Sequence, residues 1–348
     1  MTILFAILLF SLLIFVHEMG HFVAAKLSGV QVNEFSMFMG PAIVKWKRGE
    51  TQYSIRCIPF GGYCAMEGED EDTENPRSFQ KAAWWKRLII LVAGVAMNFV
   101  IGVLLMMILV APAKEIAEPV ISQVDPNCTI VREDGLQLGD RFLKVDGERI
   151  YVYSDVGQML YLNPGQTHDL VVERNGEKIV LDNYRMETCI VDGQEAYGIK
   201  FLKRDATFGN KLSYAWNSSL NVVRNVRLSI EMLVSGRAGF QDLTGPVGIV
   251  QVMSDSAKQT DSTGEALRVL LYFGAFISIN LAVMNLLPIP AVDGGRVFGL
   301  LVTTAIEAIT KKKVNPKYEG YIHGAGLVLL LALMAVILFK DIIFIFKG

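Results

Sequence analysis

Four stretches of the chain are apolar for long enough to form membrane helices. They cover residues 3–25, 88–110, 267–287 and 324–339, and a bilayer needs about 20 residues of helix. The chain of 348 residues is 52 % hydrophobic and only 20 % charged, which is too apolar for an ordinary soluble domain. The first stretch lacks the basic flank and the small-residue cleavage site of a secretory signal peptide. The pattern therefore predicts a polytopic α-helical membrane protein with about four transmembrane helices.

A different pattern follows the first span. Residues 28–87 alternate apolar and polar side chains, and Gly40-Pro41, Arg48-Gly49 and Gly61-Gly62 interrupt the alternation. Such interruptions are typical of hairpin turns between short strands. Non-helical backbone at membrane depth must be buried against protein. We therefore predict a membrane-associated β-hairpin sheet in this segment.

A long insert separates the second span from the third. Residues 116–203 indicate a small β-rich domain, and VVERNGEKIVL is typical of a hairpin with an Asn-Gly turn. Residues 207–235 predict an amphipathic helix, which either lies on the membrane surface or packs on its neighbours. We predict a membrane part (1–111), a β-rich domain (112–204), a helix with linker (205–264) and a second membrane part (265–348).

The positions of the basic residues predict the orientation. Lys and Arg residues concentrate in the connections 28–87 and 289–321, which the positive-inside rule places in the cytoplasm. The N-terminus and the insert 112–264 would then lie outside the cytoplasm. Cys128 and Cys189 both fall in the insert, where oxidising conditions allow them to pair. The formal net charge of −2 gives no reason to expect nucleic acid as a partner.

The first span contains an unusual polar cluster, His17-Glu18-Met19-Gly20-His21. Ionisable groups in a membrane are costly and need compensation. Residues i and i+4 share one face of a helix, so His17 and His21 can bind one Zn²⁺ with Glu18 beside them as general base. A catalytic zinc has three protein ligands and one open position. This H-E-x-x-H pattern predicts one catalytic zinc ion.

The third protein ligand is predicted after the third span, in NLLPIPAVDGGRVFG. Pro288 and Pro290 cannot continue a hydrogen-bonded helix, and broken helices at membrane depth occur where they line a cavity or are buried in protein. Asp293 is the carboxylate in this break. The alternative is a helix that ends in a cytoplasmic turn capped by Asp293.

These motifs, in this order, resemble the site-2 protease family of intramembrane zinc metalloproteases, closest to its regulator-of-sigma-E type. FGGYCAMEGED and LTGPVGIVQVMS are also similar to family segments. The resemblance implies that Glu18 is the catalytic base, that His17, His21 and Asp293 bind zinc, and that Asn285 helps to hold the substrate. Val95 and Arg296 depart from the residues common in the family.

The resemblance also implies the fold, the partners and the location. The insert would contain a single PDZ-like domain that excludes uncut substrates, and the 28–87 sheet would pair with the substrate or gate it. Substrates would be single-pass membrane proteins, such as anti-sigma factors or signal-peptide remnants, cut within the bilayer. The protein would be a multi-pass protein of the inner or plasma membrane, with its active site toward the cytoplasm and no organic cofactor.

Two other functional classes stay open from the sequence. One is a catalytically silent receptor or scaffold whose insert binds partner tails, although the intact residues His17, Glu18, His21 and Asp293 argue against it. The other is a metal transporter, for which the second and fourth spans supply almost no polar path.

Three further polar residues have simple structural interpretations. Asn98 forms an interhelical hydrogen bond or belongs to the site. His323 is an interfacial or packed histidine, and His168 is solvated in a loop.

Overall fold

The computed structural model describes residues 2–69, 73–162, 167–191, 193–239, 245–260, 262–312 and 316–347. Contacts divide the chain into two compact units, residues 1–105 with 226–348, and residues 106–225. The middle of the predicted acidic run, residues 70–72, lies outside the described residues, and so do the first two residues of LTGPVGIVQVMS.

Eight α-helices occur in the described part of the chain. They are α1 (Thr2–Ser28), α2 (Trp84–Val110), α3 (Ser154–Leu162), α4 (Phe208–Val234), α5 (Pro246–Lys258), α6 (Thr263–Leu286), α7 (Asp293–Thr310) and α8 (Pro316–Lys347). Four of them contain segments long and apolar enough to cross a membrane: Phe5–Ser28, Trp84–Val110, Thr263–Leu286 and Gly320–Asp341. The predicted membrane architecture is confirmed at this level. Helices α5 and α7 were not predicted, because the sequence analysis treated both segments as connections.

The sheet of the first unit is formed by β1 (Val32–Arg48) and β2 (Thr51–Met66). Both strands bend, at Gly40 and at Gly61, where φ is 83° and 80°. Residues 34–37 consequently pair with residues 52–55 on one side and with residues 62–65 on the other. Residues 42–48 pair with 51–56. The result is an antiparallel arrangement of four short segments, in which 62–66 forms one edge among the described residues and 42–48 forms the other. The bends fall where the sequence predicted hairpin turns.

A polar cluster around Arg56 joins three of these segments. Its guanidinium donates to the Gly40 carbonyl at 2.6 Å and to Glu34 Oε1 at 2.7 Å, and it also bonds the Tyr63 hydroxyl. Burial would raise the pKa of Glu34, but the hydrogen bonds from Arg56 and Ser54 outweigh it and lower the pKa to about 2. Glu34 is therefore ionised at every ordinary pH, which strengthens its hydrogen bond from Arg56. Through Tyr63, Arg56 holds the edge segment 62–66 to the rest of the sheet.

The apolar core of the first unit surrounds the end of α1. It contains buried residues from α1, the sheet, α2 and α7, among them Ala25, Phe35, Met66, Ile90 and Leu300. Two phenylalanines on α1 contact the Phe35 ring. Phe15 meets it edge-on with 5.7 Å between ring centroids, and Phe22 lies tilted against it at 5.0 Å. This packing fixes the helix that contains H-E-x-x-H against the sheet.

The second unit contains the other eight strands of the described residues. They are β3 (Glu115–Val124), β4 (Arg141–Val145), β5 (Glu148–Arg149), β6 (Thr167–Arg174), β7 (Glu177–Arg185), β8 (Cys189–Val191), β9 (Gln194–Ala196) and β10 (Ile199–Asp205). One sheet has the order β10-β3-β4-β6-β7, with β5 paired to β4, and β8 pairs with β9. The β6–β7 hairpin turns at the predicted Asn175-Gly176, and Cys128 forms a disulfide with Cys189.

His168 in this unit differs from its predicted setting. It lies in β6 with 2 % of its surface exposed, and its Nδ1 lies 2.8 Å from Asp146 Oδ2. The prediction of a solvated loop histidine was wrong, because the strand begins at Thr167 and turns this side chain into the interior.

Candidate active site

Three potential metal ligands converge in the first unit. His17 and His21 lie one turn apart on α1, and Asp293 is the first residue of α7. Asp293 Oδ2 lies 3.0 Å from His17 Nε2 and 3.2 Å from His21 Nε2, and the two Nε2 atoms are 3.2 Å apart. All three ligand atoms therefore lie within 4.8 Å of one another, although their positions in the sequence are far apart.

The ring of His21 is oriented by helix α2. Its Nδ1 lies 2.8 Å from the Ile90 carbonyl oxygen, which can only accept. Nδ1 therefore carries the proton, and the lone pair of Nε2 points toward His17 and Asp293. A hydrogen bond from the second ring nitrogen to a carbonyl is the usual way in which a protein fixes a metal-binding histidine.

His17 has its own neighbour on α2, the buried Asn98. The Asn98 amide nitrogen lies 3.5 Å from His17 Nδ1, while its Oδ1 is buried without a hydrogen-bond partner. A half-turn of the amide exchanges these two atoms. Oδ1 then accepts from His17 Nδ1–H and leaves Nε2 free as a ligand. The Asn98 side chain thus makes an interhelical contact, to α1, and also lies beside the site, so the two interpretations from the sequence are compatible. Its backbone carbonyl separately accepts a hydrogen bond from Ser278 on α6 at 2.7 Å.

The donor set fits a divalent cation. Asp293 Oδ2 is buried and receives no hydrogen bond, yet both imidazole Nε2 lone pairs face it. Three electron-rich atoms so close together repel one another unless a cation or a proton lies between them. Two imidazoles and one carboxylate form a known ligand set for catalytic zinc.

A close crossing of α1 and α2 makes room for these rings. A Cβ on Gly94 would lie 2.4 Å from His21 Nε2 and 2.9 Å from His17 Cε1, and a Cβ on Gly20 would lie 2.5 Å from the Ala93 carbonyl oxygen. Both positions therefore require glycine. The sequence analysis did not identify Gly94, although it lies in an apolar span where a glycine marks a site of close helix contact.

The break before α7 is equally compact. A Cβ on Gly294 would lie 2.2 Å from the Leu287 carbonyl oxygen, and one on Gly295 would lie 2.2 Å from that of Ile289. The two glycines thus let the start of α7 fold back onto the end of the preceding segment. This arrangement brings Asp293 to the histidines, in agreement with the interpretation of the break as part of a site.

Glu18 lies in an adjoining cleft of about 660 Å³. The cleft is lined by His21 and Asp293, by residues 63–69 from the end of β2 and the turn after it, and by Ala291, Val292 and Arg296. A Cβ on Gly62 would lie 3.4 Å from Glu18 Cγ, so the edge segment 62–66 packs directly against this side chain. Burial raises the pKa of the neighbouring Cys64 thiol to about 12, which keeps it neutral.

Asn285 is less directly connected to the cluster. It lies in the last turn of α6, two residues before the break begins, and its side chain is half-buried. Among the described residues, its amide makes no hydrogen bond to His17, His21 or Asp293. The structure thus brings together four of the five predicted site residues and places Asn285 nearby on the chain.

Comparison with known proteins decides the family. The sequence model of Peptidase family M50 matches residues 5–333. The chain belongs to Peptidase family M50. A protein of Clostridium perfringens named as a zinc metalloprotease is 36 % identical over 99 % of both chains. The zinc metalloprotease RasP of Bacillus licheniformis is 28 % identical and the regulator of sigma-W protease RasP of Bacillus subtilis is 26 % identical, each over 98 % of both chains.

The predicted site-2 protease resemblance is therefore confirmed, and this M50 peptidase is a membrane-bound zinc metalloprotease. The family match spans both the H-E-x-x-H helix and the segment that contains Asp293. Zinc is the metal that the donor set and the names of these relatives have in common.

Arg296 of the M50 peptidase forms an ion pair across the cleft. It bonds Glu69, whose side chain is only 15 % exposed, and so ties α7 to the turn after β2. We expect Arg296→Gln to lower the free energy of unfolding by about 1–3 kcal/mol, because Glu69 keeps its charge at a mostly buried position after its cation is removed. The measurement is thermal unfolding in detergent, followed by tryptophan fluorescence.

The double variant Arg296→Gln/Glu69→Gln is the matched control. It removes both charges, so it should melt at a higher temperature than Arg296→Gln alone. A double variant that is no more stable than the single one would contradict the ion-pair explanation.

Proposed function

We propose that this protein hydrolyses a peptide bond within or near the transmembrane segment of single-pass membrane proteins. The observation that carries the proposal is the convergence of His17, His21 and Asp293 within 4.8 Å, with Glu18 in the adjoining cleft. H-E-x-x-H lies on a helix long and apolar enough to span the membrane. This combination supports hydrolysis at membrane depth.

The proposed roles follow from the geometry. His17 Nε2, His21 Nε2 and Asp293 Oδ2 would hold one zinc ion, with the Ile90 carbonyl fixing the tautomer of His21. Zinc would supply a more acidic water and polarise the scissile carbonyl. Glu18 would act as the general base that accepts the proton of the attacking water, and later as the acid that delivers it to the leaving amine.

The sheet edge is the proposed site at which the substrate unfolds. A peptide bond inside a helix is protected by helical hydrogen bonds, so the substrate must become extended before it reacts. Residues 62–66 form the sheet edge nearest to Glu18, and residues 63–66 line the cleft beside it. Strand addition along this edge would bring an extended substrate to the metal. Asn285, at the end of α6, would help to hold the substrate near the metal.

The proposed orientation rests on charge and on the disulfide. Basic residues concentrate in 28–87 and 289–321, which supports a cytoplasmic position for both connections and for the neighbouring active site. The Cys128–Cys189 disulfide lies in the second unit and favours an oxidising, extracytoplasmic environment for the insert. The N-terminus would then also lie outside the cytoplasm, in the plasma or inner membrane.

The insert is proposed to act as a PDZ-like filter. Its antiparallel sheet with the short helix α3 supports a small binding domain, and substrates shortened by an earlier cut, such as anti-sigma factors or signal-peptide remnants, would pass it. We propose that the functional division follows residues 1–111, 112–204, 205–264 and 265–348.

The deciding experiment is cleavage of a single-pass reporter by the purified protein in detergent. The protein as purified should contain about one zinc per chain and cut within the reporter's span, at a bond located by mass spectrometry. A chelator should abolish cutting, and one equivalent of zinc should restore it. A protein that holds zinc and retains the reporter without cutting it, for a series of unrelated spans, would instead be the receptor or scaffold.

A further inference from the structure

The segment between α6 and α7 contains one strained residue. Ala291 has φ of 82°, a value that alanine rarely adopts because its Cβ crowds the backbone. Ala291 is followed by Val292 and then by Asp293. Strained backbone persists only where its surroundings hold it, so the contacts of this segment decide where the Asp293 carboxylate points.

Helix α8 supplies these contacts. The Ala291 N–H donates to His323 Nδ1 at 3.1 Å. One turn along the same helix, a Cβ on Gly326 would lie 2.3 Å from Pro290 Cβ and 3.0 Å from its carbonyl oxygen. Since residues i and i+3 share a helix face, one face of α8 holds two consecutive residues, Pro290 and Ala291. The sequence interpretation of His323 as a packed histidine missed its hydrogen bond to the segment that leads into α7.

We propose that His323 is a positioning residue for the metal ligand Asp293, acting through the hydrogen bond from Ala291 N–H. The inference rests on the proposed function in so far as Asp293 binds zinc. The bond fixes the amide of a residue whose conformation is unfavourable by itself. Without the acceptor, the Ala291 backbone can relax toward negative φ, and the peptide planes that lead to Asp293 rotate with it. The carboxylate then no longer faces both Nε2 atoms.

Substitutions of His323 can separate the loss of its hydrogen-bond acceptor, Nδ1, from the loss of its imidazole ring. In His323→Asn the amide oxygen takes the place of Nδ1, whereas in His323→Gln the amide lies further out, near the place of Nε2. His323→Leu removes the acceptor and keeps an apolar side chain of similar size. Tyr321→Leu, at an exposed position two residues away on α8, is the control for a change on this helix.

Two readouts are independent of cleavage. The first is zinc affinity of the full-length protein by competition with a chromophoric chelator. We expect His323→Leu and His323→Gln to weaken it by about 10- to 100-fold, the usual effect of losing a group that orients a ligand, and His323→Asn and Tyr321→Leu to stay within about threefold of the parent. The second is hydrogen exchange of the peptide covering residues 288–293, in which the Ala291 amide should exchange faster in His323→Leu and His323→Gln only.

The outcomes separate this proposal from the proposed function. The role of His323 would be overturned if His323→Leu kept the zinc affinity and the hydrogen-exchange rate of the parent. It would also be overturned if His323→Asn lost as much zinc affinity as His323→Gln. If His323→Leu does not fold, the comparison of Asn with Gln decides alone. A parent that binds no zinc would contradict the proposed function, while the exchange experiment would still report whether His323 holds Ala291.

Discussion

Glu18→Gln should abolish cleavage of a single-pass reporter while zinc stays bound. The amide keeps the size and most of the polarity of the carboxylate, but it cannot accept a proton from water at neutral pH. Loss of a general base lowers the rate by about 10²- to 10⁴-fold. Glu18 is not among the three converging ligand atoms, so the zinc content should remain at the parental value.

The structure offers a matched control for this variant. Glu67 lines the same cleft and undergoes the same chemical change in Glu67→Gln, but it accepts a hydrogen bond from Asn33 at 2.6 Å and lies in the turn after β2, outside the edge segment 62–66. Its cleavage rate should stay within about threefold of the parent. Cleavage by Glu18→Gln at more than a tenth of the parental rate would exclude Glu18 as the base, and loss of zinc from that variant would give it a ligand role.

The sequence allowed correct prediction of those parts of the fold that depend on a local pattern of residues. The apolar spans, the hairpin positions at Gly40 and Gly61 and the Asn175-Gly176 turn each depend on a few neighbouring residues. The same holds for the i, i+4 spacing of His17 and His21. Helix α7 was not predicted because two prolines precede it and a Gly-Gly pair lies in its first turn, and these residues are signals for a turn.

Contacts between distant segments could not be predicted in this way. The acceptor for His21 is a backbone carbonyl, which every residue has, so nothing in the sequence marks Ile90. Asn98 and His323 were noticed as polar residues in apolar spans, but their partners depend on how the helices cross. Asp293 was the exception, because the broken helix and the family resemblance both indicated it.

Gly94→Ala should remove zinc binding although Gly94 carries no ligand atom. The added Cβ would lie 2.4 Å from His21 Nε2, 2.7 Å from His21 Cε1 and 2.9 Å from His17 Cε1, all well inside van der Waals contact. Neither ring can move away easily. His21 is held by the Ile90 carbonyl, and α1 cannot move as a whole without losing its packing on the sheet. Because Nε2 is the proposed ligand atom, we expect zinc affinity to fall by at least about 10- to 100-fold.

Zinc-dependent stability distinguishes this effect from general damage. Overpacking by one methyl group costs about 1–3 kcal/mol, so the zinc-free variant should melt somewhat below the zinc-free parent. Added zinc should raise the melting temperature of the parent, since a ligand that binds only the folded state stabilises it, but leave that of Gly94→Ala unchanged. Ala96→Val, two residues along α2 at an exposed position, enlarges a side chain on the same helix away from the histidines and should keep the parental response. If Gly94→Ala binds zinc as tightly as the parent, the added methyl group does not displace the ligand atoms. The metal must then be held by atoms other than the Nε2 atoms of His17 and His21.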